Sequence, residues 1–372
     1  DPFLACVFTV GLVRAVVGFR RPALALAPIW VGVMIVPTLV TEYAPQFARG
    51  IGATPAIAAL CSLGGWTLWR GASKLGQGWV EGVVASALLT GLVFSGVSTA
   101  WAYFGTWGRS PDLFYAYDVG LVEIAEYINT RPAEEEIYIT PLRPDHYTLE
   151  FLARHPYSTF DGRDGLVLPP PGQAATVIVL PQEDGKTVPA LKQFRADASV
   201  SRTWNDDNGH PYAVALYLPA SNVGSPLPDR PSDAVLGEAA RLLGYSLDSG
   251  WAMPGETVQV TLYWQALATM DDNYTVFVHL LGEHNPATGG PLWAGHDSQP
   301  VAGHYPTGDW QPGEIILDVH MLTIPPQTPA GEYHLEVGLY FLETMTRLPA
   351  RDAFGNPLQG DSVPLGVLGV GE

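Results

Sequence analysis

Four apolar runs dominate the first hundred residues, and each approaches the roughly 20 residues that a helix needs to cross a bilayer. Two of these runs contain no charged residue. None of the four has the polar face that a helix in a soluble core would show. We therefore predict a membrane α-helical region over residues 1–105, with four transmembrane helices at Phe3–Phe19, Pro22–Val40, Ile51–Trp69 and Trp79–Phe104.

The pattern changes after residue 105, where helical and strand periodicities alternate along the chain. Val119–Asn129 has apolar residues at helical spacing, and Asp145–Arg154 predicts a second helix with Asp145 as its N-cap. This alternation is typical of a small α/β domain, which we predict over residues 106–220. Its strands are predicted at Glu136–Thr140, Ala175–Leu180 and Tyr212–Leu218, the last paired across a turn at Asn205–Gly209.

The turn Asn205–Gly209 contains Asp206 and Asp207, which also suggest a calcium loop. The oxygen ligands lack the spacing that calcium loops show, whereas a hairpin turn requires no ligand. We favour the hairpin turn.

Residues 233–372 show a period of two. In Thr257–Trp264 the apolar side chains share one face of a strand and the polar ones share the other. Glycine and proline punctuate the strands, so we predict an all-β sandwich domain. The segment Ala220–Ser232 contains three prolines and is predicted to link the two soluble domains. Further strands of this sandwich are predicted at Tyr274–Leu281, Glu314–Ile324 and Tyr333–Phe341.

Charge is distributed unevenly between the apolar and polar parts. Residues 1–104 hold three acidic and six basic residues, and subtracting these from the totals of 37 and 19 leaves 34 acidic and 13 basic residues. This net-negative portion argues against nucleic acid as a partner, because phosphate binding needs clustered Lys and Arg. The chain begins with Asp1-Pro2 directly before an apolar run, so we expect it to be the C-terminal fragment of a longer protein.

Basic residues in the short loops predict the orientation of the helices. Arg20 and Arg21 separate the first two apolar runs, and Arg70 and Lys74 separate the last two. The positive-inside rule places both loops in the cytoplasm, with the α/β and β-sandwich domains outside. We therefore predict an integral protein of the bacterial plasma membrane in contact with membrane lipid.

Candidate chemistry is sparse in the soluble part. The outward faces of the predicted strands carry three histidines, His279, His320 and His334. They could bind zinc or simply be polar surface residues. Because they lack the close spacing of zinc ligands, we favour the surface interpretation. No motif indicates a cofactor, so we predict no metal or cofactor site in this fragment and leave open whether the whole protein needs a divalent metal. Three tryptophans near turns are candidates for stacking on a sugar ring or for plugging the ends of the core: Trp251, Trp293 and Trp310.

The stretch Glu42–Trp69, EYAPQFARGIGATPAIAALCSLGGWTLW, resembles the late membrane region of GT-C glycosyltransferases, the family of dolichyl-phosphate-mannose protein mannosyltransferases and their bacterial relatives. In that family, an external loop with an acidic residue and an arginine leads into an apolar helix with an early proline; Glu42, Arg49 and Pro55 look like these positions. The two soluble domains look like a C-terminal extension found on bacterial relatives.

The resemblance implies transfer of a sugar from a polyprenyl-phosphate donor, on the outer side of the membrane, to a glycan, lipid or protein acceptor. It also implies that the catalytic carboxylate lies upstream, so no catalytic residue is expected here. Arg49 is expected to bind the donor phosphate through its planar guanidinium, while Glu42, Tyr43 and Gln46 orient the donor or the acceptor. Alternatively, Arg49 anchors the helix at the headgroups.

Two other functional classes compete with the transferase. One is a non-enzymatic, membrane-anchored envelope protein with a carbohydrate- or protein-binding β-sandwich. The other is a transporter, which is disfavoured because charged residues facing a path at mid-membrane are expected there and Arg14 alone comes close.

Overall fold

The computed structural model describes residues 1–40, 47–221 and 227–371. The chain divides into two compact units, Asp1–Leu113 and Phe114–Glu372. The first unit is helical and the second is largely β, as the sequence predicts.

Within the part of the helical unit that the structure describes, three apolar helices are long enough to cross a membrane: Pro22–Leu39, Arg49–Ser73 and Gly78–Arg109. The first predicted span forms the shorter helix Pro2–Val17. Its 16 residues reach about 24 Å, less than a hydrocarbon core of ~30 Å, so a fourth span stays a prediction. The elements are α1 (Pro2–Val17), α2 (Pro22–Leu39), a 3-10 helix (Phe47–Ala53), α3 (Thr54–Ser73), α4 (Gly78–Ala100), a π-helix (Trp101–Thr106) and a second 3-10 helix (Trp107–Arg109).

Two glycines bring α1 and α3 into backbone contact. A side chain at Gly11 would overlap the carbonyl group of Leu60, and one at Gly64 would overlap the carbonyl group of Val7. Small residues at such a crossing let apolar helices pack through van der Waals contact, the main attraction between helices surrounded by lipid.

The second unit is built from four short helices and 17 strands among the described residues. The helices are α5 (Asp112–Ala116), which begins just before the unit, α6 (Val119–Ile128), α7 (Tyr147–Leu152) and α8 (Thr187–Phe194). The strands up to residue 218 are β1 (Glu136–Thr140), β2 (Ser158–Thr159), β3 (Gly165–Leu168), β4 (Ala175–Val179), β5 (Ser199–Asn205) and β6 (Pro211–Leu218). The remaining strands are β7 (Arg230–Leu236), β8 (Ala240–Leu247), β9 (Trp251–Ala252), β10 (Thr257–Ala266), β11 (Tyr274–Asn285), β12 (Gly290–Ser298), β13 (Ile315–Thr323), β14 (Gly331–Phe341), β15 (Thr346–Arg347), β16 (Ala350–Arg351) and β17 (Val363–Val370).

A five-stranded mixed sheet forms the α/β layer, in the order β2-β1-β4-β6-β5. Strands β2, β1 and β4 are parallel, and β6 and β5 complete the sheet antiparallel. The alternation along β1 explains its burial on both faces: Ile137 and Ile139 pack with α6, while Tyr138 points into the opposite core.

Two six-stranded sheets pack as the predicted sandwich. Their orders are β16-β7-β8-β10-β13-β3 and β12-β11-β14-β17-β9, with β15 added beside β14. Strand β3 lies in the predicted α/β segment, yet it pairs antiparallel with β13 of the sandwich. One face of the α/β sheet joins the same hydrophobic core as the sandwich. Residues 106–220 and 233–372 therefore share a sheet and a core, and their separability stays a prediction.

Two local expectations are wrong. Helix α7 begins at Tyr147 without a side-chain cap, because the carboxylate of Asp145 instead accepts from Arg143 at 3.0 and 3.1 Å. The end of the predicted linker is already strand, since β7 begins at Arg230. Residues 222–226 of that linker lie outside the described residues.

Candidate functional site

Arg49 is exposed and lies in the 3-10 helix that precedes α3. That segment is held to α2 by the indole of Trp30, whose Nε1 donates to the carbonyl of Gly52 at 3.0 Å. This 3-10 helix continues into α3, and Arg49 is the first residue of the candidate membrane span Arg49–Ser73. Its predicted companions Glu42, Tyr43 and Gln46 lie outside the described residues.

The structure separates the three candidate tryptophans. Trp251 is 48% exposed and lies on β9, and Trp293 is half-buried on β12. These strands are opposite edges of one sheet, so the two indoles do not form one platform. Trp310 is not available for sugar stacking, because its ring is fully buried 6.4 Å from Trp264 and its Nε1 donates to the carbonyl of Tyr305; its position matches the alternative of plugging the core.

An open groove of about 790 Å³ lies beside Trp293, where β11 passes into β12 and β14 begins. This volume falls in the range of small-molecule sites. The rings of Trp293 and Tyr333 meet edge to face, with centroids 5.9 Å apart. Gly282 permits this packing, because a side chain there would lie 2.6 Å from the Tyr333 ring.

The polar atoms of both rings are already used within the protein. The Trp293 Nε1 donates to the carbonyl of Glu283 at 2.8 Å, and the Tyr333 hydroxyl donates to the carbonyl of Pro329 at 2.8 Å. Burial, followed by the nearby Glu283, raises the pKa of Tyr333. Both rings are therefore fixed in orientation before any ligand arrives.

The groove combines an aromatic wall with exposed polar side chains, namely the carboxylates of Glu283 and Glu332 and the amide of Gln327. A sugar presents an apolar ring face and hydroxyl groups that donate to carboxylates and amides. The lining therefore has the chemistry that a glycan needs, with Trp293 as the predicted residue that the structure places in it.

The three candidate histidines do not converge, and the outward assignment of His320 is wrong. His320 is fully buried: its Nε2 lies 2.8 Å from Asp318, and its Nδ1 lies 2.8 Å from Nδ1 of His296. The inner face of β13 carries Asp318 and His320 alongside apolar residues. The alternation of apolar and polar residues along this strand therefore does not identify which face is buried. His279 pairs with Asp297 and Glu336 in the other sheet, and His334 is exposed.

The sequence interpretation missed a buried carboxylate between the α/β layer and the sandwich. Glu314 is 1% exposed and accepts hydrogen bonds from the hydroxyl groups of Tyr138 at 2.6 Å and Tyr305 at 2.8 Å. The backbone N–H of Gln311 is a third donor, at 2.8 Å. Burial raises the pKa of Glu314 to about 7, although these hydrogen bonds oppose the shift.

The sequence interpretation also missed a polar cavity of about 340 Å³ beyond the carboxyl ends of the parallel strands. Asp161, Arg163 and His304 line it together with His146 and Glu183. Ligands of open α/β sheets commonly bind at this edge. The signal was present in the sequence, since the motif Asp161-Gly-Arg-Asp-Gly165 follows the short strand β2.

No family model and no curated protein matches the chain. The solved C-terminal domain of Wzt is similar at 13% identity, with a TM-score of 0.25 over 40% of this chain and 83% of that domain. A chain of the CaDoc0917–CaCohA2 complex is similar at 14% identity, with a TM-score of 0.16 over 31% of this chain and 91% of that chain. Scores this low leave the function of the chain to be argued from its own residues.

Proposed function

We propose that this chain is the C-terminal part of an integral membrane glycosyltransferase that uses a polyprenyl-phosphate-linked sugar donor. The observation that carries the proposal is the exposed Arg49 at the start of an apolar helix long enough to span a bilayer. A guanidinium at this position lies at the membrane surface, at the same depth as the phosphate of a lipid-linked donor. The resemblance of Glu42–Trp69 to GT-C transferases supports the same reading.

Arg49 binds the donor phosphate in this proposal. A planar guanidinium donates two parallel hydrogen bonds to phosphate oxygens, which a lysine ammonium does not reproduce. Glu42, Tyr43 and Gln46 orient the donor or acceptor, and the catalytic carboxylate lies upstream. Both basic loops face the cytoplasm, so the transfer takes place outside.

The groove beside Trp293 holds a glycan, as acceptor or product. Its rings are fixed by internal hydrogen bonds, so little side-chain entropy is lost when a sugar stacks on them. Its two exposed carboxylates accept from sugar hydroxyl groups.

Sugar transfer by the protein carrying this chain, reconstituted in proteoliposomes, tests the role of Arg49. Arg49→Lys should weaken donor affinity about tenfold and Arg49→Ala further, because the bidentate contact is worth roughly 1.5–3 kcal/mol. Arg70→Lys, at the other end of α3, is the matched control and should leave donor affinity unchanged. Transfer by Arg49→Ala at the wild-type rate and affinity would refute the phosphate role.

The groove itself favours a second candidate, the non-enzymatic envelope protein that binds carbohydrate. Trp293→Ala should abolish glycan binding in either case, whereas Trp251→Ala, on the opposite edge of the sheet, should not. Glycan binding without transfer from any polyprenyl-phosphate sugar would favour the anchored binding protein over the transferase.

A further inference from the structure

Three metal-ligating side chains meet at the cavity beyond the carboxyl ends of the parallel strands, and two of them, Asp161 and His304, line it. Asp161, Asp164 and His304 each offer one ligand atom, and these atoms all lie within 4.8 Å of one another. Among the described residues, this is the one such group. We propose that these three side chains bind a divalent transition-metal ion of the Zn²⁺ or Mn²⁺ class.

The donor set selects the metal class. One imidazole nitrogen and two carboxylate oxygens suit zinc or manganese, whereas calcium and magnesium prefer oxygen alone and copper(I) prefers sulfur. Ligands about 2.1 Å from a tetrahedral zinc ion lie about 3.4 Å apart, so the observed cluster closes around an ion with small side-chain movements.

Hydrogen bonds to buried residues fix the loop that carries Asp161 and Asp164. The backbone N–H of Gly162 donates to Oγ1 of Thr140 at 2.8 Å, and that hydroxyl donates to the fully buried Asp184 at 2.7 Å. Asp184 also accepts from Thr187 at the start of α8. A side chain at Gly162 would overlap Thr187, so the loop is packed closely on this network.

His304 reaches the cluster from a second fixed turn, 140 residues along the chain from Asp164. The backbone N–H of Val301 donates to the buried carboxylate of Asp318 at 2.8 Å. Val301 and Ala302 both have left-handed backbones, with φ of 54° and 52°, and the N–H of His304 donates back to Val301. Two separately anchored backbones therefore present the three ligands.

A fourth group points to a ligand in the same cavity. The Nδ1 atom of His146 is buried and has no hydrogen-bond partner within the part of the chain that the structure describes. A buried imidazole nitrogen without a partner is costly. His146 itself is half-buried and lines the same cavity, so an ion bound there, or a water molecule on that ion, is a candidate for the missing partner.

Arg163 is the competing cation in the absence of metal. Its Nε donates to Asp161 at 2.8 Å and its Nη2 at 2.5 Å. The Arg163 side chain is 52% exposed and can withdraw into solvent.

Calorimetric titration of the metal-stripped full chain in nanodiscs with ZnCl₂, and electron paramagnetic resonance with MnCl₂, test the site. We expect one equivalent to bind, with affinity reduced at least tenfold in Asp164→Asn and in His304→Ala. Arg163→Gln should bind several-fold more tightly, because the competing cation is gone. Asp161 is left unchanged, because it is buried and its replacement risks unfolding.

His334→Ala is the matched control, since His334 is an exposed histidine on β14 and should leave binding unchanged. Far-ultraviolet circular dichroism verifies that each variant is folded. The proposal is overturned if neither ion binds stoichiometrically, or if Asp164→Asn and His304→Ala bind like the wild type.

Discussion

We predict that Glu314 makes the stability of the second unit depend on pH. Its carboxyl group is 1% exposed, and Tyr138, Tyr305 and Gln311 donate to it. Burial raises its pKa from the ordinary 4.5 to about 7, because the charged form loses its hydration. Its protonated form therefore favours the folded state.

The sign and size of the effect follow from linkage. A group whose pKa is raised on folding contributes stability that is fully present below pH 4.5 and lost as the pH rises through about 7. At roughly 1.36 kcal/mol per pH unit, the loss across this window is about 3 kcal/mol. This is a large share of the 5–15 kcal/mol that typically stabilises a domain.

The substitution Glu314→Gln removes the titratable carboxyl group and keeps the size and shape of the side chain. Glutamine has one oxygen where glutamate has two, so its amide N–H groups face the N–H and O–H donors. We expect this mismatch to lower the free energy of unfolding by about 1–3 kcal/mol at every pH. Wild type should therefore exceed the variant in stability at about pH 5, and this advantage should shrink or reverse by about pH 8.

Urea unfolding of the chain in nanodiscs, followed by the fluorescence of the buried Trp264 and Trp310, measures the difference at both pH values. Glu343→Gln replaces an exposed glutamate and is the control for charge removal alone. Unfolding free energies of wild type and Glu314→Gln that change in parallel with pH would show that Glu314 does not titrate in this window.

Three further predictions concern topology, the linker and the helical unit. A cysteine at Leu227, which is 84% exposed, should react in intact cells with an impermeant reagent once Cys6 and Cys61 are replaced by alanine; labelling only after lysis would reverse the orientation. Limited proteolysis should cut first between residues 220 and 229, because the Pro-rich composition predicts a linker and linkers are preferred cleavage sites; earlier cleavage elsewhere in 114–372 would contradict this. Gly64→Val should separate α1 from α3 and lower the melting temperature, and an unchanged melting temperature would argue against their close contact.

Local pattern was sufficient wherever one face of an element differs from the other. Strand β1 occupies Glu136–Thr140 as predicted, and β10 contains the predicted Thr257–Trp264. The apolar helices were equally clear, because about 20 consecutive apolar residues have few soluble alternatives. Trp293 was singled out from sequence because it follows a turn, and the structure places it in a groove; its sugar-binding role stays a prediction.

Tertiary structure alone decided which segments meet. Strand β3 is four apolar residues without alternation, and its partner β13 lies about 150 residues away, so no local signal pairs them. His320 was assigned outward because both faces of β13 carry apolar residues; it points inward because Asp318 and His296 satisfy its two nitrogens. The motif at Asp161–Gly165 is visible in the sequence, but its meeting with His304, 140 residues beyond Asp164, is likewise not. Periodicity records the environment of one element, whereas convergence depends on how distant elements pack.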